Sequence, residues 1–440
     1  MTELFQTNVD VIQSRWPQAA MVLKQQNIDS LDAALVTGSN QTISINGVQL
    51  SSRHDRVAET QLFLSTLPND IKHATLYGFG MGDIPSIALE EGRLDQLDIC
   101  ILNPTIFALV LSYTDQTAWL SHPGVSLELQ PKQNRLRKPY LVVPADLELI
   151  SDENARLRDL LMYELNLNYA NSSHKNDNPA IMQRFEDNRT FMQQDPDVSA
   201  LKNTVASTSA VVIGSGPSLE QQYEKLAALC LRSERPIIIA VDTALRGLLH
   251  HNITPDIVVS IDGLVSFQLP LEKTDAIKLV YFPRVRTENI QEWRGSRYNA
   301  LGDTQLYDNL ATQFPEKTRL YANGSVLHPA IDIAVLLGCQ DIYLCGSDFC
   351  FCGNKSHAFW DEYAVKDKNI SYWMSLEQKN VQSAVHWVIN GYGEKVATNL
   401  NFRSFLRSLE LYLEKHPTTR FHQCSKDSAK VIGADFRELP

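Results

Sequence analysis

The stretch "AVVIGSGPSLEQQYEKL", Ala210–Leu226, reads as a buried strand running through a tight turn into a helix. Four apolar residues, Ala210 to Ile213, are followed by Gly214, Ser215, Gly216 and Pro217, and then by helix-forming residues. Ser218 with Gln221 three residues on has capping-box spacing and predicts the helix start. Amide hydrogens at such a junction, together with the helix dipole, favour an anion. Glycine at 214 and 216 lets the backbone approach a neighbour without a Cβ between them. The turn is neither standard nucleotide fingerprint: GxGxxG needs glycine where Leu219 stands, and no GK[ST] follows.

Outward from this turn, apolar runs recur at Ile237–Val241, Ile257–Ile261, Leu279–Phe282, Arg319–Ala322 and Ile342–Cys345. Helical patterns at Glu220–Leu231, Thr243–His250 and Val326–Leu337 lie between several of them. That alternation predicts an α/β class core, a Rossmann-like and mostly parallel sheet covered on both faces. Asp242, Asp262 and Asp348 each follow a different predicted strand. Ligands of open α/β sheets bind at the carboxyl ends of strands, so three carboxylates are expected along one rim. There they can hold ribose hydroxyls or a divalent cation such as Mg2+, while Asp242 can also simply cap the helix it precedes. A second strand-to-helix junction, Asn323, Gly324 and Ser325, offers another hydroxyl and helix N-terminus to a phosphate. Arg284 and Arg286 are further candidate anion ligands.

The 440 residues carry 44% hydrophobic and 21% charged side chains, a soluble globular composition too long for one ordinary core. A formal charge of −11 argues against a nucleic-acid partner. No run is long and apolar enough for a membrane span. The start, "MTELFQTNVDVIQSRWPQ", lacks a secretory layout, and seven cysteines without a framework fit reduced thiols, so a cytoplasmic protein is expected. No metal ligand set is assigned: Cys345, Cys350 and Cys352 with His357 lack zinc spacing.

Four regions are expected. Residues 1–150 form a smaller α/β domain, with a hairpin at Asn46-Gly47 and a glycine turn in "YGFGMGD", followed by Asn103 after the next strand. Residues 151–203 read as a helical connector with a loop at Ser172–Pro179. Residues 204–365 form the Rossmann-like core, and 366–440 a helical segment completing it, with a final short strand-like piece, "RFHQCS".

"VVIGSGPSLEQ", "AVDTALRGLLHHNITPDIVVSIDG" and "NGSVLHPAIDIAVLLGCQDIYLCGSDFCFCGNKSHAFW" together resemble the motility-associated factor (Maf) flagellin glycosyltransferases. The same domain family includes archaeal 6-hydroxymethyl-dihydropterin pyrophosphokinase-like proteins (MptE-like). A more distant similarity is to bacterial CMP-sialic-acid sialyltransferases. The resemblance implies transfer of a nonulosonic acid, of pseudaminic or legionaminic type, from a CMP-activated donor to flagellin Ser/Thr. It implies that Gly214, Ser215, Gly216, Pro217, Ser218 and Leu219 lie against the nucleotide, with Asp242 and Asp262 where the sialyltransferases carry asparagines. It implies that Asn323, Gly324 and Ser325 close on the phosphate, and that His357 and Asp348 are catalytic, His357 as the base. Two alternatives remain open: a pterin pyrophosphokinase using ATP and Mg2+, and a non-catalytic nucleotide-binding flagellar assembly factor.

Overall fold

The computed structural model describes residues 2–129, 136–151, 154, 157–162, 164, 179–204, 207–263, 265, 267, 271–358 and 386–440. The loop expected at Ser172–Pro179 lies, apart from Pro179, outside them. The chain divides into two compact units, Met1–Leu165 and Asn166–Pro440, and the division falls inside the stretch expected to be a connector.

In the first unit, a helical pair (Glu3–Arg15 and Pro17–Lys24) precedes a three-stranded antiparallel meander, β1 (Ala33–Thr37), β2 (Gln41–Ile45) and β3 (Val48–Gln49). Asn46 and Gly47 join β2 to β3 with φ of 51° and 85°, the left-handed pair that a two-residue hairpin turn requires. A four-stranded sheet follows from β4 (His73–Tyr77), β5 (Gln96–Cys100), β6 (Val125–Glu128) and β7 (Tyr140–Val142), in the order β6-β5-β4-β7, all pairs parallel.

The second unit is built on eight parallel strands. They are β8 (Ser209–Ile213), β9 (Ile237–Val241), β10 (Ile257–Ser260), β11 (Lys278–Tyr281), β12 (Arg297–Asn299), β15 (Asp341–Cys345), β18 (Arg420–Gln423) and β19 (Ala434–Phe436), with order β12-β11-β10-β9-β8-β15-β18-β19. β8 to β10 and β15 are almost wholly buried, which explains their unbroken apolar runs. β13 (Leu301–Gly302) and β14 (Arg319–Leu320) form a separate parallel pair, so the strand expected at Arg319–Ala322 is shorter and stands outside the main sheet. β16 (His386–Ile389) and β17 (Lys395–Thr398) make an antiparallel hairpin.

The carboxyl-terminal region, expected as helix with a closing strand-like piece at "RFHQCS", holds the long helix Leu400–Glu414 and has that strand as β18; it also contributes the hairpin and β19, so two of its strands join the main sheet. β19 is short and gains stability from pairing with β18, so its sequence signals little alone. The second half of the expected connector packs onto the second unit, with Ile181, Phe185, Met192, Val198 and Leu201 buried in its core.

Strand order fixes where a ligand site belongs. From β8 the chain steps outward through β9 to β12, then returns to the other side of β8 with β15. That reversal opens a crevice at the carboxyl ends of β8 and β15, a topological switch point.

Candidate functional site

At this crevice lies a cavity of about 220 Å³. Gly214, Ser215 and Gly216 after β8, Asp242 after β9, Asp262 after β10, Gly324 and Ser325 before the helix Leu327–Leu336, Asp348 after β15, and His357 all line it. Residues as far as 143 positions apart along the chain, Gly214 and His357, are thus gathered around one space. Pro217, Ser218, Leu219 and Asn323 are not on its wall; Ser218 and Leu219 are buried, 2% and 0% exposed.

The Gly214 turn does not present the row of outward amides that the sequence suggests. The Gly214 N–H donates to the Cys345 carbonyl (2.8 Å), Gly216 N–H to the Gly346 carbonyl (2.7 Å), and Leu219 N–H to the Gly216 carbonyl (3.0 Å). Ser218 N–H donates to Asp348 Oδ2 at 2.7 Å. Pro217 has no N–H, which leaves the Ser215 amide as the one these bonds do not occupy. Ser218 is not a helix cap either: Pro217–Gln221 is a short 3-10 turn, and the α-helix begins at Tyr223. The glycines serve the packing of two loops. A Cβ on Gly214 would lie 2.4 Å from the Gly346 carbonyl oxygen, and one on Gly346 would lie 2.6 Å from that of Gly214. Only glycine allows so close a backbone approach.

Asp348 is the buttress of this arrangement. Its Oδ1 accepts from the hydroxyls of Ser218 (2.5 Å) and Ser428 (2.6 Å), and its Oδ2 from the Ser218 amide. The side chain is 3% exposed, and burial raises its pKa while these hydrogen bonds oppose the rise. A carboxylate so occupied positions the turn, and Asp348 also stands on the cavity wall. The next residue, Phe349, adopts φ of 52°, an uncommon conformation for a bulky side chain. The Thr398 hydroxyl, donating to its carbonyl at 2.7 Å, helps hold it.

Asp242 is 5% exposed and faces the cavity from the first residue of its helix. Its Oδ2 accepts from the Ser260 hydroxyl (2.7 Å) and its Oδ1 from the Thr243 N–H (2.7 Å). Burial outweighs these bonds and, with the negative charge of Asp262 nearby, pushes its pKa up to about 7. Asp262 is more open, and Arg284 approaches it at 3.7 Å. Arg286 Nε donates to the Gly263 carbonyl at 3.0 Å. Both arginines therefore brace the loop after β10; neither is on the cavity wall.

A divalent cation fits these aspartates poorly. Both oxygens of Asp348 and of Asp242 already accept hydrogen bonds from the chain, and Asp242 resists ionisation. Only Asp262 would remain as a carboxylate ligand, fewer than a protein-held Mg2+ commonly uses beside waters and phosphates. Among the described residues no three His, Cys, Asp or Glu side chains come together as a metal-holding group.

The turn also places His357. The Ala358 N–H donates to the Ser215 carbonyl at 2.8 Å, and Ser356 Oγ lies 2.7 Å from His357 Nδ1. Thr243 Oγ1 donates to Ser215 Oγ at 2.9 Å, tying the tip of β9 to the turn. Sequence reasoning missed Thr243 as a wall residue, and it missed Phe402 and Phe405, two half-buried rings that the Leu400–Glu414 helix turns into the cavity. Their i,i+3 spacing is visible in "NFRSF" and puts them on one helix face. Nothing local says what that face meets.

In the first unit the glycine turn of "YGFGMGD" is likewise filled by the chain. Asp146 accepts from the Phe79 N–H (3.1 Å) and the Gly80 N–H (2.9 Å), and burial pushes its pKa up to about 6. Asn103 is a helix cap, with Oδ1 accepting from the amides of Thr105 and Ile106.

Residues 183–354 match the MptE-like family. Its description is 6-hydroxymethylpterin diphosphokinase MptE-like, and the match spans the turn after β8, the three aspartates and the Ser325 junction, as the resemblance seen in the sequence implies. Over 111 residues the chain is 29% identical to the 6-hydroxymethyl-7,8-dihydropterin pyrophosphokinase of Methanocaldococcus jannaschii, covering 25% of this chain and 46% of that protein. The chain thus spans about half the length of that curated relative. A solved structure of a Maf glycosyltransferase from Magnetospirillum magneticum AMB-1 aligns with 99% of this chain and 74% of its own, at 14% identity and a TM-score of 0.40. The MptE-like segment ends at residue 354, so His357, Phe402 and Phe405 lie outside it. Among the described residues no helix is long and apolar enough to cross a membrane.

Proposed function

We propose that the cavity of the second unit binds a nucleotide-linked sugar, and that the chain is a glycosyltransferase moving a nonulosonic acid from a CMP-activated donor to a Ser/Thr hydroxyl of flagellin. The observation that carries the reading is the convergence, at one switch-point cavity, of small hydroxyl residues, three carboxyls, a histidine and an aromatic wall. In this reading the base lies against Phe402 or Phe405 and the ribose hydroxyls donate to Asp262 or Asp242. The phosphate takes the Ser215 amide and the Ser325 side of the Leu327–Leu336 helix N-terminus. His357 accepts the proton of the attacking hydroxyl as the sugar leaves CMP with oxocarbenium character. A cytoplasmic setting suits a CMP-sugar donor.

The test is incubation of the protein with a CMP-nonulosonate and flagellin, following CMP release and the mass of the acceptor. His357→Ala should abolish transfer while CMP binding, measured by calorimetry, persists. Undiminished transfer by that variant would remove His357 from the reaction, and absence of CMP binding by the parent would end the donor assignment.

The second reading is a pterin diphosphokinase, favoured by the MptE-like match and the archaeal relative. It requires AMP formation from ATP with 6-hydroxymethyl-dihydropterin and Mg2+. The occupied oxygens of Asp242 and Asp348 weigh against the three-aspartate cation site it was expected to use.

A further inference from the structure

Four of the seven cysteines, all reduced, surround the loop after β15. Cys345 and Cys424 are neighbours across β15 and β18, and each interacts with the other. Of the other two, Cys350 is buried on the cavity wall and Cys352 is half-buried. Their sulfurs are 3.5 Å apart, and both approach the Asp427 carbonyl, Cys352 at 3.3 Å and Cys350 at 3.8 Å. Between them Phe351 has φ of −92° and ψ of 70°, close to the inverse γ-turn. That conformation folds the chain so that the residues on either side point their side chains toward one space, instead of to opposite faces as in a strand. The turn is held: Phe351 N–H donates to the Ala397 carbonyl at 2.9 Å, and its ring packs against Phe402 at 5.4 Å between centroids. Cys350 is 1% exposed and forms part of the cavity wall, whereas Cys352 is half-buried and is followed by exposed Gly353 and Asn354.

We propose that Cys350 and Cys352 are a reversible redox modification site, closing to a disulfide on two-electron oxidation by a peroxide. Cys352, the sulfur on the solvent side, attacks the peroxide O–O bond as thiolate and becomes a sulfenic acid, releasing the reduced oxygen as water or alcohol. The Cys350 sulfur then displaces that oxygen as a second water, forming the S–S bond. Two sulfurs together lose two electrons and the peroxide gains them. The sulfurs need to close only from 3.5 Å to about 2.05 Å. A bridge spanning one intervening residue closes a small ring, and geometric strain makes such bonds easily reduced. Reversal by a small thiol such as glutathione follows. The Cys352 thiol is held well above its usual range by its hydrogen bond with Cys350, by burial and by the Asp348 carboxylate, so thiolate is scarce and the oxidation is slow. Proximity of Cys350 to the sulfenic acid makes the disulfide, not over-oxidation, the product. Closing it moves the wall of the cavity at Cys350.

The experiment uses the full chain. After treatment with dilute hydrogen peroxide under native conditions, the protein is denatured, alkylated, and its modified thiols counted by mass spectrometry. The expected result is loss of two of the seven alkylatable thiols, restored by glutathione. Cys352→Ser should abolish the loss, Cys350→Ser should cost at most the one thiol of Cys352 and give no bridge, and Cys345→Ser, which removes the neighbouring pair, should leave the parent's loss unchanged. Seven thiols surviving in the oxidised parent, a bridge mapping to Cys345 and Cys424, or oxygen added to Cys352 in place of a bridge would each overturn the proposal.

Discussion

Asp242 offers a direct test of how this site is built, through Asp242→Asn. In the folded chain burial holds the carboxyl proton up to about pH 7, whereas the unfolded chain releases it near its ordinary value of 3.8. A raised pKa means that the folded state binds the extra proton across this window. The contribution of the neutral carboxyl to stability is therefore complete below the unfolded value and is lost as pH rises to about 7. A shift of about three units corresponds to about 4 kcal/mol at the upper limit, at ~1.4 kcal/mol per unit. Asparagine is nearly the same shape, stays neutral, can still accept from the Thr243 N–H, and leaves the Ser260 hydroxyl free to turn and accept. Its stability should thus not fall across the window. Differential scanning calorimetry of both proteins should show the variant gaining on the parent by about 3 kcal/mol between about pH 5 and about pH 8, with no further gain above that. For a unit of this size that is about 5 °C in Tm. A stability gap that is the same at both pH values, or that narrows as pH rises, would refute the reasoning.

Three further outcomes follow from the same geometry. Asp262→Asn removes the negative charge that helps to raise Asp242, so the pH at which the Asp242→Asn gap saturates should move downward in the same calorimetric series. Asp348→Ala strands the Ser218 amide and the hydroxyls of Ser218 and Ser428, and should destabilise the second unit by about 3 kcal/mol or more, measured by thermal unfolding. Gly216→Ala would set a Cβ 2.7 Å from the Asp348 carboxyl and 2.7 Å from the Gly346 carbonyl oxygen, neither able to retreat freely. It should cost about 1–3 kcal/mol by the same measurement, and an unchanged Tm would contradict the packing described for that turn.

The parts of the site that were legible in the sequence are those that depend on neighbours along the chain. Apolar runs ending in Asp242 and Asp262 placed both carboxyls at strand tips, and the cavity walls include both. Ser215 and Ser325 were found in the same way, from small residues at strand-to-helix junctions. What misled was the assumption that a glycine turn is shaped for a ligand. At Gly214–Ser218 and again at Gly78–Gly80, the partners for the turn amides come from the chain itself: the Cys345 and Gly346 carbonyls with Asp348 in one unit, Asp146 in the other. Asp348 lies 130 residues beyond Ser218. A local pattern of small residues cannot distinguish a slot that awaits a phosphate from one that a distant carboxylate fills.

By itself the sequence determined the class of the second unit: short apolar runs that end at glycine or aspartate and alternate with longer helical patterns are the pattern of strands buried on both faces and of the helices that cover them, so an α/β core with a parallel sheet was expected before any contact was known. Tertiary structure decided which groups meet. It set β15 beside β8, which made the switch point, spent Asp348 on the turn, and brought Phe402 and Phe405 from the last long helix to the cavity wall. The reason is physical: secondary structure follows from short-range sterics and periodicity, whereas a site depends on hydrogen bonds and packing between segments whose sequences carry no mark of each other.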